Sequence, residues 1–170
     1  MEERFGFIHE KLDIKILILF VLRRLPDEVD RDTLADIVQC DGGIGYFDFS
    51  DCLYELIDRE LVTENHIGFR VTPKGANAGE AVESSLPYTV RKKAEKLIVP
   101  VAAELKKRSL LTAKHTEKDG KIFVKLAAPD KLGIDVLCTD EKQAMRIEKN
   151  FKYNSDKLYA QLIELFDKQA

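Results

Sequence analysis

Four carboxylates, Asp48, Asp51, Glu55 and Asp58, recur at the three- and four-residue intervals that stack side chains on one stripe of a helix. Such a stripe can accept from the N4 amine of cytosine or receive a basic protein partner, but as a row it mostly repels phosphate. Tyr46, Ser50 and Tyr54 add hydroxyls at outward positions of the same segment, and His66, Arg70 and Lys74 follow as nearby cations. These last six are the candidate contacts to double-stranded DNA. The four acids are the alternative surface, for a basic protein, and an ordinary solvated helix face accounts for the same pattern.

Other chemistry finds no support. His9, His66 and His115 stand apart in sequence, with no HExxH and no Cys/His pair at ligand spacing, so no metal is expected. Cys40 and Cys52 have no neighbouring histidine to activate a thiolate, and Ser50 lacks the GxSxG elbow. The "DGGIG" turn holds Gly42, Gly43 and Gly45, yet it lies between helices and lacks the lysine of a phosphate loop. Its glycines serve a tight connection that needs positive φ. No enzyme and no cofactor are indicated.

The elements that must hold these residues follow from periodicity. "LDIKILILFVLRRL", Leu12 to Leu25, is apolar on nearly every side, so it must be covered all round, by its own chain or by a second subunit. Asp30 is placed to cap a second helix, Arg31 to Val38. In the third helix Phe49, Cys52, Leu53, Leu56 and Ile57 form the buried stripe, opposite the acids. "LVTE" and "FRVT" flank "NHIG" as a hairpin, and Thr72 followed by Pro73 opens a fourth helix to about Ser84. Leu86 to Arg108 reads as a long helix with Pro100 inside, where a kink or break is expected. "LLTAKHTE", "KIFVKLAA" and "GIDVLCTD" read as an antiparallel meander, its first turn being "KDGK". Two helices close the chain, one from Thr139 or Asp140 to about Phe151 and one from Asn154 or Ser155.

Charge divides along the chain. Residues 1–85 hold 9 Lys and Arg against 18 Asp and Glu, net −9, whereas residues 86–170 hold 18 against 12, net +6. Opposed halves of this kind mark a nucleic-acid-binding part or surfaces that attract each other. Arg91, Lys92, Lys93 and Lys96, and then Lys114, Lys118, Lys121 and Lys125, are the basic clusters. Without aromatics interleaved among these lysines, single-strand binding by stacking is not expected. Leu97, Val101 and Leu105 on the long helix are candidates for a homodimer interface, the alternative being that the C-terminal sheet covers them within one chain. The longest apolar run is seven residues, too short to span a bilayer. Three cysteines without CxxC spacing, and an N-terminus unlike a signal peptide, point to a soluble cytoplasmic protein.

"DIKILILFVLRRLP", "FSDCLYELIDRELV" and "FRVTPKG" resemble the first helix, the third helix and the return strand of a winged-helix domain, a variant of the helix-turn-helix. Thr72, Lys74 and Gly75 are similar to a T-x-K-G ending frequent in bacterial winged-helix regulators. With "KQAMRIEKNFKYNSDKLYAQLIELF", Lys142 to Phe166, the whole chain resembles an uncharacterised family of Firmicutes proteins described as transcriptional-regulator-like. The resemblance implies an α+β protein. Residues 1–85 would form a winged helix with a β-hairpin wing, and residues 86–170 a long helix, a small antiparallel three-stranded sheet and two C-terminal helices. It implies a regulator that inserts its third helix into the major groove. The alternative is a winged-helix interaction module that does not bind DNA.

Overall fold

Helix α1 (Lys11–Leu22) is the centre of the first half of the chain, as its composition demands. Every residue from Ile16 to Leu22 is buried. A computed structural model describes residues 6–168, and in it α2 (Arg31–Val38), α3 (Tyr46–Asp58), strand β2 (Phe69–Val71), α4 (Pro73–Val82) and a 3-10 turn at Glu83–Ser85 all touch α1. Burial of each Leu, Ile or Phe contributes about 1.5–3 kcal/mol. The helix is thus covered by neighbours from its own chain. From Ile16 onward that satisfies its apolar circumference without a second subunit, while Leu12 in the first turn stays exposed.

Local signals set the ends of these helices. The Asp30 side chain accepts from the Thr33 N–H at 2.9 Å, and that of Thr72 accepts from Gly75 at the same distance. Each cap satisfies a first-turn donor and contributes about 1 kcal/mol. Strand β1 (Val62–Glu64) pairs antiparallel with β2, and the turn between them is closed by Asn65, whose Oδ1 accepts from Ile67 and Gly68. Val29, between α1 and α2, exchanges two backbone hydrogen bonds with Phe69, 3.0 and 2.8 Å, so the hairpin is fastened along its second strand. A side chain at Gly68 would collide with the Val29 carbonyl.

Helix α5 (Tyr88–Ser109) continues through Pro100. Pro100 is exposed, so the carbonyl left unbonded one turn earlier is free to turn to water, and of the kink or break expected there the break does not occur. Val90, Ala94, Ile98 and Leu105 of α5 join the core around α1.

By compactness the chain divides into residues 1–106 and 107–170, inside the last turns of α5, whereas periodicity and charge suggest a division at 85/86. The second unit is an antiparallel sheet of β3 (Thr112–Lys118), β4 (Lys121–Ala128) and β5 (Leu132–Cys138), in that order. Asp119 and Gly120 have φ of 54° and 71°, the paired left-handed conformation that a two-residue hairpin requires. Helix α6 (Glu141–Asp167), capped by Asp140 accepting from Gln143 at 2.7 Å, covers one face. The two C-terminal helices expected from sequence are both present within Glu141–Asp167, meeting at a kink where Asn154 leaves helical geometry (φ −132°, ψ 25°). Val124, Leu126, Cys138, Ala144 and Phe151 make this unit's small core.

Alternation along the strands sorts the second unit's lysines. Lys114 lies opposite Lys125 and Lys118 opposite Lys121, with Phe123 between Thr116 and Leu137. Since side chains two apart share a face, Phe123 stands between Lys121 and Lys125 on the lysine side. This corrects the expectation that no aromatic is interleaved among them.

Candidate interaction surface

Helix α3 presents its most prominent surface through Phe47, Asp51, Tyr54 and Asp58, all exposed. They sit opposite the stripe of Phe49, Cys52, Leu53 and Leu56, which is fully buried. Ile57 packs against the same core half-buried. Phe47 is 85% exposed, Tyr54 52% and Tyr46 44%. Three large rings facing water on one helix are unusual for a surface that only solvates a domain, because aromatic area left uncovered forfeits burial energy.

Arg31, at the start of α2, organises the aromatic side. Its guanidinium donates to Ser50 Oγ at 3.3 Å and lies 5.0 Å from the Tyr54 ring centroid and 5.5 Å from that of Phe69. Burial works against the charge of Arg31, but contacts with Tyr46 and Tyr54 outweigh it and hold the guanidinium charged. Tyr46, Ser50 and Tyr54, singled out from sequence as hydroxyl donors, are thereby brought together around one cation. The residues that sequence reasoning missed are Arg31 and Phe47. Phe47 carried a readable signal, a large aromatic off the buried stripe; Arg31 carried none, because its neighbour lies on another helix.

Two of the four acids are already paired. Asp51 meets Lys11 Nζ at 3.2 Å and Glu55 bonds to Lys15, both lysines coming from α1. The Lys15 bond holds the Glu55 carboxyl below the usual carboxylate range, and Asp51 raises Lys11. Asp48 and Asp58 have no ion pair among the described residues. The acidic stripe is therefore half neutralised by the helix behind it.

The hairpin's cations are turned to intramolecular work. Arg70 donates to the Pro26 carbonyl at 3.3 Å and lies 3.7 Å from Glu28, while Lys74 donates to the Arg59 carbonyl at 2.9 Å. Lys74 closes the C-terminal end of α3, where a cation also favours the helix dipole. Asp58, Arg59, Glu60, Leu61 and Lys74 line a shallow open notch there. His66 sits half-buried in the hairpin turn.

The dimer candidates separate: Leu105 is buried in the first unit's core, Val101 packs against it half-buried, and Leu97 is exposed. Arg91 is half-buried, Lys92 pairs with Glu95 at 2.7 Å, and Lys93 lies 3.7 Å from Asp41. Burial and the neighbouring Asp41 push the Cys40 thiol up to about 11, and burial raises Cys52 as well. Both shifts oppose thiolate formation. Of the three turn glycines, Gly42 has positive φ (73°) and Gly45 does not (−73°). Among the described residues no three His, Cys, Asp or Glu groups gather as metal ligands, and no helix is long and apolar enough to cross a membrane.

Residues 14–166 match a family model described as Domain of unknown function (DUF4364). No curated protein and no solved structure matches the chain.

Proposed function

The chain belongs to the family described as Domain of unknown function (DUF4364), and we propose that its first unit is a winged-helix module that binds another protein through α3. The order of three helices, a hairpin and a fourth helix supports the winged-helix reading, and so does the bridge from Val29 to the hairpin's second strand. The unit is a non-enzymatic, cytoplasmic interaction module of regulator type, whose partner offers basic groups and an apolar recess.

The observation that carries this reading is the exposure of Phe47 and Tyr54 on one face of α3 with Asp58 beside them and Asp48 at its margin, neither acid being in an ion pair among the described residues. Interfaces concentrate their energy in aromatic and arginine anchors. Phosphate binding needs free cations, and in this unit Arg70 and Lys74 already serve the fold. A groove walled by phosphates would also have to approach these two carboxylates.

The test is affinity purification with the tagged full chain, its Phe47→Ser/Tyr54→Ser variant and its Arg70→Ala/Lys74→Ala variant, followed by titration of the captured protein. The aromatic variant should lose ~2 kcal/mol or more of binding, roughly thirty-fold. The wing variant should bind as the unaltered chain does. Duplex DNA held tightly by the unaltered chain and released by Arg70→Ala/Lys74→Ala would overturn the proposal in favour of a DNA-reading regulator.

A further inference from the structure

We propose that the uncovered face of the β3–β5 sheet binds single-stranded nucleic acid, its lysines contacting phosphates and Phe123 stacking on a base. The face is defined by pairing register alone. Lys114, Lys118, Lys121 and Lys125 share it with Phe123 and Leu137, whereas Val124, Leu126 and Cys138 point to the other side, where α6 lies. All four lysines are exposed, and Leu137 is 58% exposed.

The lysine arrangement works against folding. Like charges directly opposite one another on paired strands destabilise a sheet, and this sheet holds two such pairs, Lys114 with Lys125 and Lys118 with Lys121. None of the four forms an ion pair among the described residues. Asp135, across from Lys125, is the one carboxylate the register puts on this face. The unit as a whole has 13 Lys and Arg against 10 Asp and Glu. A polyanion relieves the repulsion that the chain itself leaves standing.

The centre of the face selects among polyanions. Phe123 is half-buried, with Leu137 beside it across the strand pair and lysines about 7 Å away in each direction along β4. A flat ring bordered by cations suits an unstacked base with a phosphate on each side. Duplex DNA keeps its base faces stacked, so the ring would have nothing to receive, and an acidic peptide offers the charge without the flat partner. These residues lie in the second unit, so the inference is independent of the reading of α3.

Fluorescence anisotropy of labelled oligonucleotides of roughly twelve nucleotides, a size within one small-domain site, tests this on the full chain. Oligo-dT and oligo-U distinguish DNA from RNA. At about 50 mM salt both should bind, and Lys114→Gln/Lys125→Gln should weaken them and flatten the dependence of log K on log salt by about 1.4, roughly 0.7 per lysine. Phe123→Leu, which keeps apolar volume on the sheet, should weaken binding about five-fold or more without altering that slope. Phe47→Ser/Tyr54→Ser should leave oligonucleotide binding unchanged, which separates failure here from failure of the α3 proposal. Absence of binding to either oligonucleotide overturns the inference, as does a duplex of equal length binding as tightly. Displacement by poly-glutamate with Phe123→Leu indistinguishable from the unaltered chain would instead assign the face to an acidic protein.

Discussion

Arg23 and Arg24 in the first unit and Lys114 and Lys125 in the second show two uses of basic residues. Both arginines close on Glu83, and Arg23 lies 3.7 Å from Glu80 as well. Lys11, Lys15, Lys92 and Lys93 likewise each face a carboxylate. In the second unit four lysines of the sheet face water and form no ion pair among the described residues. Net charge alone ranks the units, 14 Lys and Arg against 20 Asp and Glu in the first and an excess of three cations in the second. It misses the distinction that matters for binding, which is whether a charge is already satisfied. The acid-rich unit has few cations to offer a phosphate, and the basic unit has several.

The units also differ in how deeply their cores are built, and this sets the largest expected effect. Leu53 of α3 is fully buried in a cluster that includes most of the first unit's apolar residues. Leu53→Ala should therefore cost about 2–5 kcal/mol. Leu126, 5% exposed, belongs to the much smaller cluster that the sheet forms with α6, and Leu126→Ala should fall at the lower end of that range. Chemical denaturation with amide exchange resolved along the chain checks both. Equal costs, with protection lost together in α1 and in β4, would break the contrast between a thick and a thin core.

A middle-sized effect sharpens the contrast in charge use. Hydrogen bonds from Arg24 and then Arg23 hold the Glu83 carboxyl below its usual range, against the opposing effect of burial. A carboxylate with a depressed folded pKa stabilises above its unfolded pKa, and that contribution is lost as pH falls through the folded one. Glu83→Gln should thus cost about 1–3 kcal/mol near neutrality, the value of a hydrogen bond to a charged group. The difference between Glu83→Gln and the unaltered chain should shrink as pH falls below about 4. Thermal unfolding across that range measures it, and a pH-independent difference would mean that packing rather than charge holds the turn.

Chain-local features were the readable ones. Asp30, Thr72 and Asp140 cap helices as their types predict, and the Asp-Gly of "KDGK" turns the first strand pair. The buried stripe of α3 follows from spacing because one helix face alone decides it. Arg31 over Tyr54, Lys11 with Asp51 and Lys15 with Glu55 were not readable, since each joins residues whose approach depends on how two helices pack. The kink at Asn154, by contrast, was legible, since chain-local signals there end one helix and start the next. Phe123 among the lysines needed only the two-residue period of β4, a rule the sequence already satisfies.

The smallest predicted effect is the most discriminating, because its sign differs between the units. Removing Arg24 takes a hydrogen-bonding partner from Glu83 and one from the Phe20 carbonyl, 3.0 Å away, so Arg24→Ala destabilises. Among the described residues Lys114 has no such partner, and its removal takes away the like charge opposite Lys125. Lys114→Gln should raise stability by about 0.2–1 kcal/mol, the magnitude of a cross-strand pair, and the gain should shrink as added salt screens the repulsion. Denaturant midpoints at low and high salt measure it. A loss of stability instead would show that Lys114 contributes to the sheet itself, and the argument that these lysines are kept for an anion would lose its footing. A gain that vanishes in salt leaves a residue costly to the fold, whose retention on an open face is accounted for by what it binds.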